Sequence, residues 1–323
     1  MTETRNRLAC LLARYIQRPT LKYVAHQPTL RAIFEIESRL THRRLSGTQT
    51  HKMTLRHQNG SVSGTWIKPA GISDRGIVLY LHGGAFTIGS TATHRELIAR
   101  LAQASQTTAL AIDYRRAPEH PFPAALDDAI TAYGALLDQG TPAETITLAG
   151  DSAGGGLCVS LCHALQIRNM PQPAALALMS PLTDMTFSGA SARNNLDLDP
   201  LLPAIWGQRA INLYLDGHDP SDPLVSPLFG DMRYVPPTII HVADTEILLD
   251  DATRLAGALL KADKQAILKV FSGLPHVWQI HGGWLPQADA SLAELGAFLA
   301  RHLPDPSGGA DPSEDDDWEP ARP

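Results

Sequence analysis

From residue 76 to about residue 302 the chain repeats one unit, and that repetition restricts the fold more than any other feature. Short, predominantly apolar runs (77–81, 108–112, 146–149, 174–179, 238–242 and 267–271) alternate with segments of helical spacing near 91–104, 121–139, 153–167, 249–262 and 286–302. A strand that is apolar on both faces has to be covered on both faces. Strands of that kind separated by helices therefore predict a mostly parallel central sheet with helices packed on either side.

Two regions stand outside the repeat. Residues 1–46 carry Leu8, Leu11, Leu12, Tyr15 and Ile16, then Ile33, Phe34, Ile36 and Leu40, at helical intervals. Between the two, alternating stretches 52–56 and 61–67 flank Gln58-Asn59-Gly60, which predicts a hairpin with an Asn-Gly turn. The interval 187–223 interrupts the alternation with several Asp and Pro residues and the apolar cluster Leu201, Leu202, Ile205, Trp206 and Ile211. It reads as an inserted helical lid that joins the N-terminal helices as a cap over the sheet's C-terminal edge. The expected organisation is a cap segment at 1–46, a catalytic domain at 47–303 with the insertion inside it, and a disordered acidic tail at 304–323.

Charge and cysteine usage narrow the class. The net charge of −6 lies in the tail, where seven acids face Arg322 alone, so the body is near neutral and offers no basic surface for nucleic acid. The tail, rich in Pro, Gly and Asp, reads as a solvated segment. Cys10, Cys158 and Cys162 form no disulfide framework, which fits a reducing compartment. Cys158 and Cys162 have no second ligand pair and read as small core residues rather than metal ligands. No apolar run reaches the roughly 18 residues of a membrane span. The N-terminal stretch is interspersed with Arg5, Arg7 and Arg14 and reads as an amphipathic helix rather than a signal peptide. The expectation is a cytoplasmic protein without nucleic-acid or membrane partners. A homodimer is compatible with it.

Chemistry enters at Leu148-Ala149-Gly150-Asp151-Ser152-Ala153-Gly154-Gly155, a Gly-x-Ser-x-Gly turn between an apolar run and a helical segment. Such a turn lifts a serine hydroxyl above the sheet edge, and small neighbours make the tight bend sterically accessible. A serine nucleophile needs main-chain donors for the alkoxide of its tetrahedral intermediate. His82-Gly83-Gly84-Ala85-Phe86, directly after a strand, can bring amides close to it. It also needs an imidazole base on a loop at the same edge. His276 in Gly273-Leu274-Pro275-His276-Val277-Trp278 is preferred, with His281 as competitor. An acid must orient that imidazole. The segment 242–251 offers Glu246 first, then Asp250, then Asp244, while Asp250 or Asp251 also suits the N-cap of the following helix. The order Ser152, Glu246, His276 is that of α/β-hydrolases.

These motifs, with Asp113-Tyr114-Arg115-Arg116-Ala117-Pro118-Glu119-His120-Pro121-Phe122-Pro123-Ala124-Ala125 between them, resemble the hormone-sensitive-lipase family of α/β-hydrolases, which includes bacterial esterases. The likeness spans about residues 75–300. It implies an α/β-hydrolase fold with a helical cap and a Ser/acid/His carboxylesterase that uses no metal or organic cofactor. It also implies an oxyanion hole from the Gly83–Ala85 loop, with donors on Gly84 and Ala85, completed by Ala153. Two positions depart from the family pattern: Ala85 replaces a frequent third glycine, and Glu246 stands where many members carry Asp. The 113–125 block is expected to stabilise the fold. Phe86 and Trp278 are candidate walls of an apolar acyl pocket for short-to-medium acyl esters.

Two other readings set the alternatives. The stretch also resembles the Gly-Asp-Ser-Gly-Gly of trypsin-like proteases, which would make the protein a serine peptidase or amidase. The helix–strand alternation, the serine preceding its histidine and the absence of a disulfide set oppose that. A non-catalytic small-molecule binding protein on the same fold would have to lack one of the three residues, and all three are present.

Overall fold

The computed structural model describes residues 2–58 and 60–304, so Asn59 of the expected turn and residues 305–323 of the tail lie outside the described residues. A single eight-stranded sheet with strand order β1-β2-β4-β3-β5-β6-β7-β8 organises the fold. Its first two strands are β1 (Gln49–His57) and β2 (Gly60–Lys68), an antiparallel hairpin whose inner strand pairs antiparallel with β4 (Thr108–Ile112). All other pairings, among β3 (Ile77–Leu81), β4, β5 (Ile146–Asp151), β6 (Leu176–Met179), β7 (Thr238–Ala243) and β8 (Ala266–Phe271), are parallel. Strands β4, β5, β6 and β7 are buried at every position, as their predominantly apolar sequences lead one to expect.

Three helices lie ahead of the sheet: α1 (Thr2–Leu12), α2 (Arg18–Tyr23) and α3 (Gln27–Thr41), with a π-helical turn at Ala13–Gln17 joining the first two. The crossovers are α4 (Thr91–Ser105), α5 (Ala124–Asp138), α6 (Ala153–Ile167), α9 (Leu249–Lys261) and the closing α10 (Pro286–Arg301). The interval 187–223 contains α7 (Ser191–Asn194) and α8 (Ala204–Leu215). None of the described helices is long and apolar enough to cross a membrane. Cys158 and Cys162 are buried free thiols in the main core cluster on α6.

The apolar stripe of the first helix points the other way from its usual place. Leu8, Leu11, Tyr15 and Ile16 are exposed, and the buried side is made by Ala9, Ala13 and Leu21. Small residues allow close approach to the loop after β8, where Cys10 Sγ meets the Gly273 carbonyl, and Arg14 and Arg18 bind carbonyls of the insertion.

The 113–125 block braces the loop after β3. Arg116 donates to the Gly89 carbonyl, Ala117 N to the Phe86 carbonyl at 2.9 Å, and Phe122 N to Tyr214 of α8 at 2.8 Å. Arg115 is paired with Asp128, and Glu119 with Arg31 of α3. One segment thus joins the oxyanion-loop candidate to both pieces of the cap.

Candidate active site

Ser152 sits at the junction of β5 and α6 with φ 53° and ψ −123°. A non-glycine residue with positive φ here is a strained elbow, and it is stable only because its surroundings fix it. Ser152 N donates to Met179 O at 2.8 Å, and Ser152 O accepts from Leu182 N at 2.9 Å, so β6 and its following loop hold both sides of the bend. Glycine is required next to it: a Cβ on Gly154 would lie 2.0 Å from the Leu81 carbonyl oxygen.

The histidine and its acid meet as the order of motifs predicts. His276 Nδ1 is 2.5 Å from Glu246 Oε2, a short charge-assisted bond. The other carboxylate oxygen accepts from Ser180 Oγ and from Ala243 N, each at 2.7 Å. With Nδ1 bound to the acid, Nε2 is the ring nitrogen left to act as base. Burial by itself would lower the pKa of His276. The charge and hydrogen bond of Glu246, with Asp199 and Asp151, outweigh it and hold the ring above its ordinary value.

The competing assignments separate cleanly. His281 lines the same cavity but faces His42 and Trp284, and burial takes its pKa down to about 4, so it is a neutral ring without an orienting acid. Asp250 accepts from Ser191 N and Asp244 from Gly273 N. Asp251 accepts from Thr183 N and Asp184 N, so it ties down the loop after β6 instead of capping its own helix.

Two residues of the insertion brace the acid and were not singled out in sequence. Asn195 Nδ2 donates to the carbonyls of Asp244 and Glu246, and Asp199 Oδ2 accepts from Ile247 N. Asp199 Oδ1 takes Leu201 N and Leu202 N in an Asx-type turn. The sequence signal is Asp199-Pro200, a turn initiator, but nothing local relates it to Ile247 in the turn after β7.

Gly83 requires a correction. Gly83 belongs to the implied oxyanion hole as part of its loop; its amide donates to Asp151 Oδ1 at 3.0 Å and is therefore not available to a substrate. The contact is so close that a Cβ on Gly83 would lie 2.0 Å from Asp151 Oδ2. Among the described residues, the amides of Gly84, Ala85 and Ala153 have no hydrogen-bond partner in the protein. Ala153 N is also the first amide of α6, where the helix's positive end adds to its pull on an anion.

The aromatic walls also need correction. Phe86 is buried against Tyr214, its ring stacked at 3.8 Å, and Trp278 is fully buried beside Phe271, Leu274 and Leu285. Neither lines the cavity. Phe86 and the residue before Trp278, Val277, have φ of 59° and 52°, and those left-handed turns send both rings into the core. The cavity, about 120 Å³, is walled instead by Leu21, Phe34, Leu201, Leu202 and Trp206 of the cap, with Ile88, Val277 and Ile280 from the body. Ser152 and His276 share it with Gln17, Glu37, Ser38 and His42 from the N-terminal helices.

Comparison with known proteins agrees with this architecture. A family model describing the alpha/beta hydrolase fold matches residues 78–280. An acetyl-hydrolase of Streptomyces hygroscopicus is 41% identical over 240 residues, covering 74% of this chain and 80% of that protein. An esterase of Acinetobacter venetianus is 40% identical over 225 residues, 69% of this chain and 74% of its own length. The crystal structure of an esterase from the bacterial hormone-sensitive lipase family superimposes with a TM-score of 0.86 at 35% identity, covering 93% of this chain and 99% of that one. With likeness of this degree running through nearly the whole of a solved member, the chain belongs to the hormone-sensitive-lipase family of α/β-hydrolases.

Proposed function

We propose that the protein is a serine carboxylesterase acting on short-to-medium acyl esters through an acyl-enzyme. The observation that carries this reading is the shared cavity: Ser152 and His276 open into one apolar space, and His276 is oriented by Glu246.

In this reading Ser152 Oγ attacks the ester carbonyl carbon while His276 Nε2 takes the hydroxyl proton. Negative charge forms on the former carbonyl oxygen, and the amides of Gly84, Ala85 and Ala153 receive it. The tetrahedral intermediate collapses as His276 returns the proton to the departing alkoxide, leaving an acyl-serine and a free alcohol. Water then repeats the sequence: His276 removes its proton, the hydroxide oxygen adds to the acyl carbon, and the carboxylic acid leaves as Ser152 is reprotonated. Glu246 keeps Nδ1–H oriented and stabilises the imidazolium at each proton transfer. The insertion and the N-terminal helices act as one cap, because both contribute walls to the cavity.

Acyl length follows from volume. An apolar cavity of roughly 150 Å³ admits a single benzene ring. The 120 Å³ here suits an acetyl or butyryl chain far better than a palmitoyl chain. The name of the acetyl-hydrolase relative points the same way. A panel of p-nitrophenyl esters should give kcat/KM highest between C2 and C6. A C16 ester turned over faster than C4 at matched solubility would refute the assignment of chain length. A peptide p-nitroanilide assayed alongside should remain uncleaved; cleavage faster than that of the esters would favour the peptidase alternative.

The base must be neutral to act. Because its surroundings raise the His276 pKa above 6.5, kcat/KM should decline as pH falls through a midpoint above 6.5. A profile measured from pH 5 to 9 that stays flat on the acid side would remove His276 from the role of base.

A further inference from the structure

A second buried histidine opens into the same cavity, and no step above uses it. His94, in the first turn of α4, is buried, and its Nε2 is 3.2 Å from Asp151 Oδ2. Asp151 directly precedes Ser152, is itself buried, and its other oxygen accepts from Tyr80 OH at 2.7 Å and from Gly83 N at 3.0 Å. One carboxylate therefore joins the serine elbow, the loop that carries Gly84 and Ala85, and α4.

The hydrogen-bond partners of His94 favour a ring protonated on both nitrogens. Thr93 Oγ1 has one proton, which goes to the Ser90 carbonyl at 2.8 Å, and Thr93 Oγ1 also receives Ser90 N at 2.9 Å. With its proton on that carbonyl, the oxygen accepts from His94 Nδ1, 2.8 Å away. The other neighbour of Nδ1, the Ser90 carbonyl at 3.2 Å, is likewise an acceptor, and Nε2 faces a carboxylate. An acceptor therefore stands at each ring nitrogen, which favours donation from both, and a histidine that donates from both is an imidazolium. Electrostatics agree. Burial opposes charge on both groups, but their mutual attraction and hydrogen bonds raise the His94 pKa and lower that of Asp151. The remaining titratable neighbours are His82 and Tyr80 at the end of β3, Asp113 after β4, His42 after α3 and His276 on the cavity wall. His82, stacked 5.7 Å from His94, is lowered to about 4 by burial and by the His94 charge, so it is neutral.

We propose that His94 is the positioning residue of the oxyanion loop: as a buried cation it keeps Asp151 ionised, and Asp151 holds Gly83 so that the next two amides face the reacting oxygen. The proposal rests on the serine-esterase reading of Ser152. Its specific content is that the charge of His94 reaches the transition state through one hydrogen-bonded carboxylate. Direct loss of one oxyanion donor costs about 10²–10³ in kcat. A residue acting through a carboxylate should cost less, about 10–10².

The test uses two variants and one spectrum. His94→Leu should lose roughly 10² in kcat for p-nitrophenyl butyrate with KM within about twofold of wild type. His94→Gln, which keeps a donor toward Asp151 without the charge, should recover part of the loss and remain about tenfold below wild type. In ¹⁵N-histidine-labelled protein at pH 7, one ring that disappears in His94→Gln should carry protons on both nitrogens. A neutral ring for His94, a kcat for His94→Gln within twofold of wild type, or a loss confined to KM would overturn the proposal; if the Leu variant does not fold, the Gln variant and the spectrum decide alone. Failure of the esterase reading looks different: wild-type protein would not be labelled at Ser152 by a fluorophosphonate, whatever the state of His94.

Discussion

Replacing Ser152 with alanine is expected to lower kcat for p-nitrophenyl butyrate by on the order of 10⁶ while leaving the melting temperature within a few degrees of wild type. The side chain contributes little to packing, because the elbow is held by main-chain bonds from Met179 and to Leu182, and these survive the change. What disappears is the nucleophile, and without it the imidazole has no hydroxyl to deprotonate. Residual turnover would come from water bound among the Gly84, Ala85 and Ala153 amides. Because serine and histidine act as a unit, Ser152→Ala combined with His276→Ala should be about as slow as either alone. A double variant slower by the product of the two losses would mean that the residues act independently, and the mechanism would fail. Fluorophosphonate labelling, present in wild type and absent in Ser152→Ala, checks the site directly.

Glu246→Gln should lower kcat by about 10⁴, although it changes a single atom. Both carboxylate oxygens face donors: Ser180 Oγ and Ala243 N on one side, His276 Nδ1 on the other. An amide has one oxygen to offer. Ala243 N–H cannot reverse its role, so the amide oxygen must turn to it, and the NH₂ group then faces His276 Nδ1. That nitrogen must become an acceptor, which moves the ring proton to Nε2 and leaves no base toward the serine. The same substitution removes the charge that opposes burial at His276, so the acid limb of the remaining activity should move to lower pH. An unchanged limb, or a loss under tenfold, would show that Glu246 is not the orienting acid.

The sequence is most legible where function depends on main-chain turns and their order along the chain. The strand–turn–helix around Ser152, the loop holding His276 and the turn holding Glu246 are each set by local chemistry and by alternation of apolar runs, and they converge in the fold. Direction within a loop is not legible in the same way. Phe86 and Trp278 read as cavity walls because they flank the motifs, yet left-handed residues turn both inward. Gly83 reads as part of the oxyanion loop, and only the packed structure reveals that its amide is held by Asp151. The apolar spacing of the N-terminal stretch reads as an amphipathic helix, and which of its faces packs inward is not legible there: Ala9 and Ala13 are buried while Leu8, Leu11, Tyr15 and Ile16 are exposed. Asn195 and Asp199 escape notice because their partners lie beyond any local window.

Two arginines of the N-terminal helices, Arg14 in the π-helical turn and Arg18 at the start of α2, bind the insertion through its carbonyl oxygens: Arg14 holds those of Asp197 and Leu198, and Arg18 those of Leu196, Asp199 and Leu202. A fastening made to main-chain oxygen is blind to the identity of the side chains it crosses. The cavity-facing side chains of Leu201 and Leu202 are thus free to change with the shape of the molecule admitted while the latch stays shut, so one scaffold can be retuned to new esters without being rebuilt.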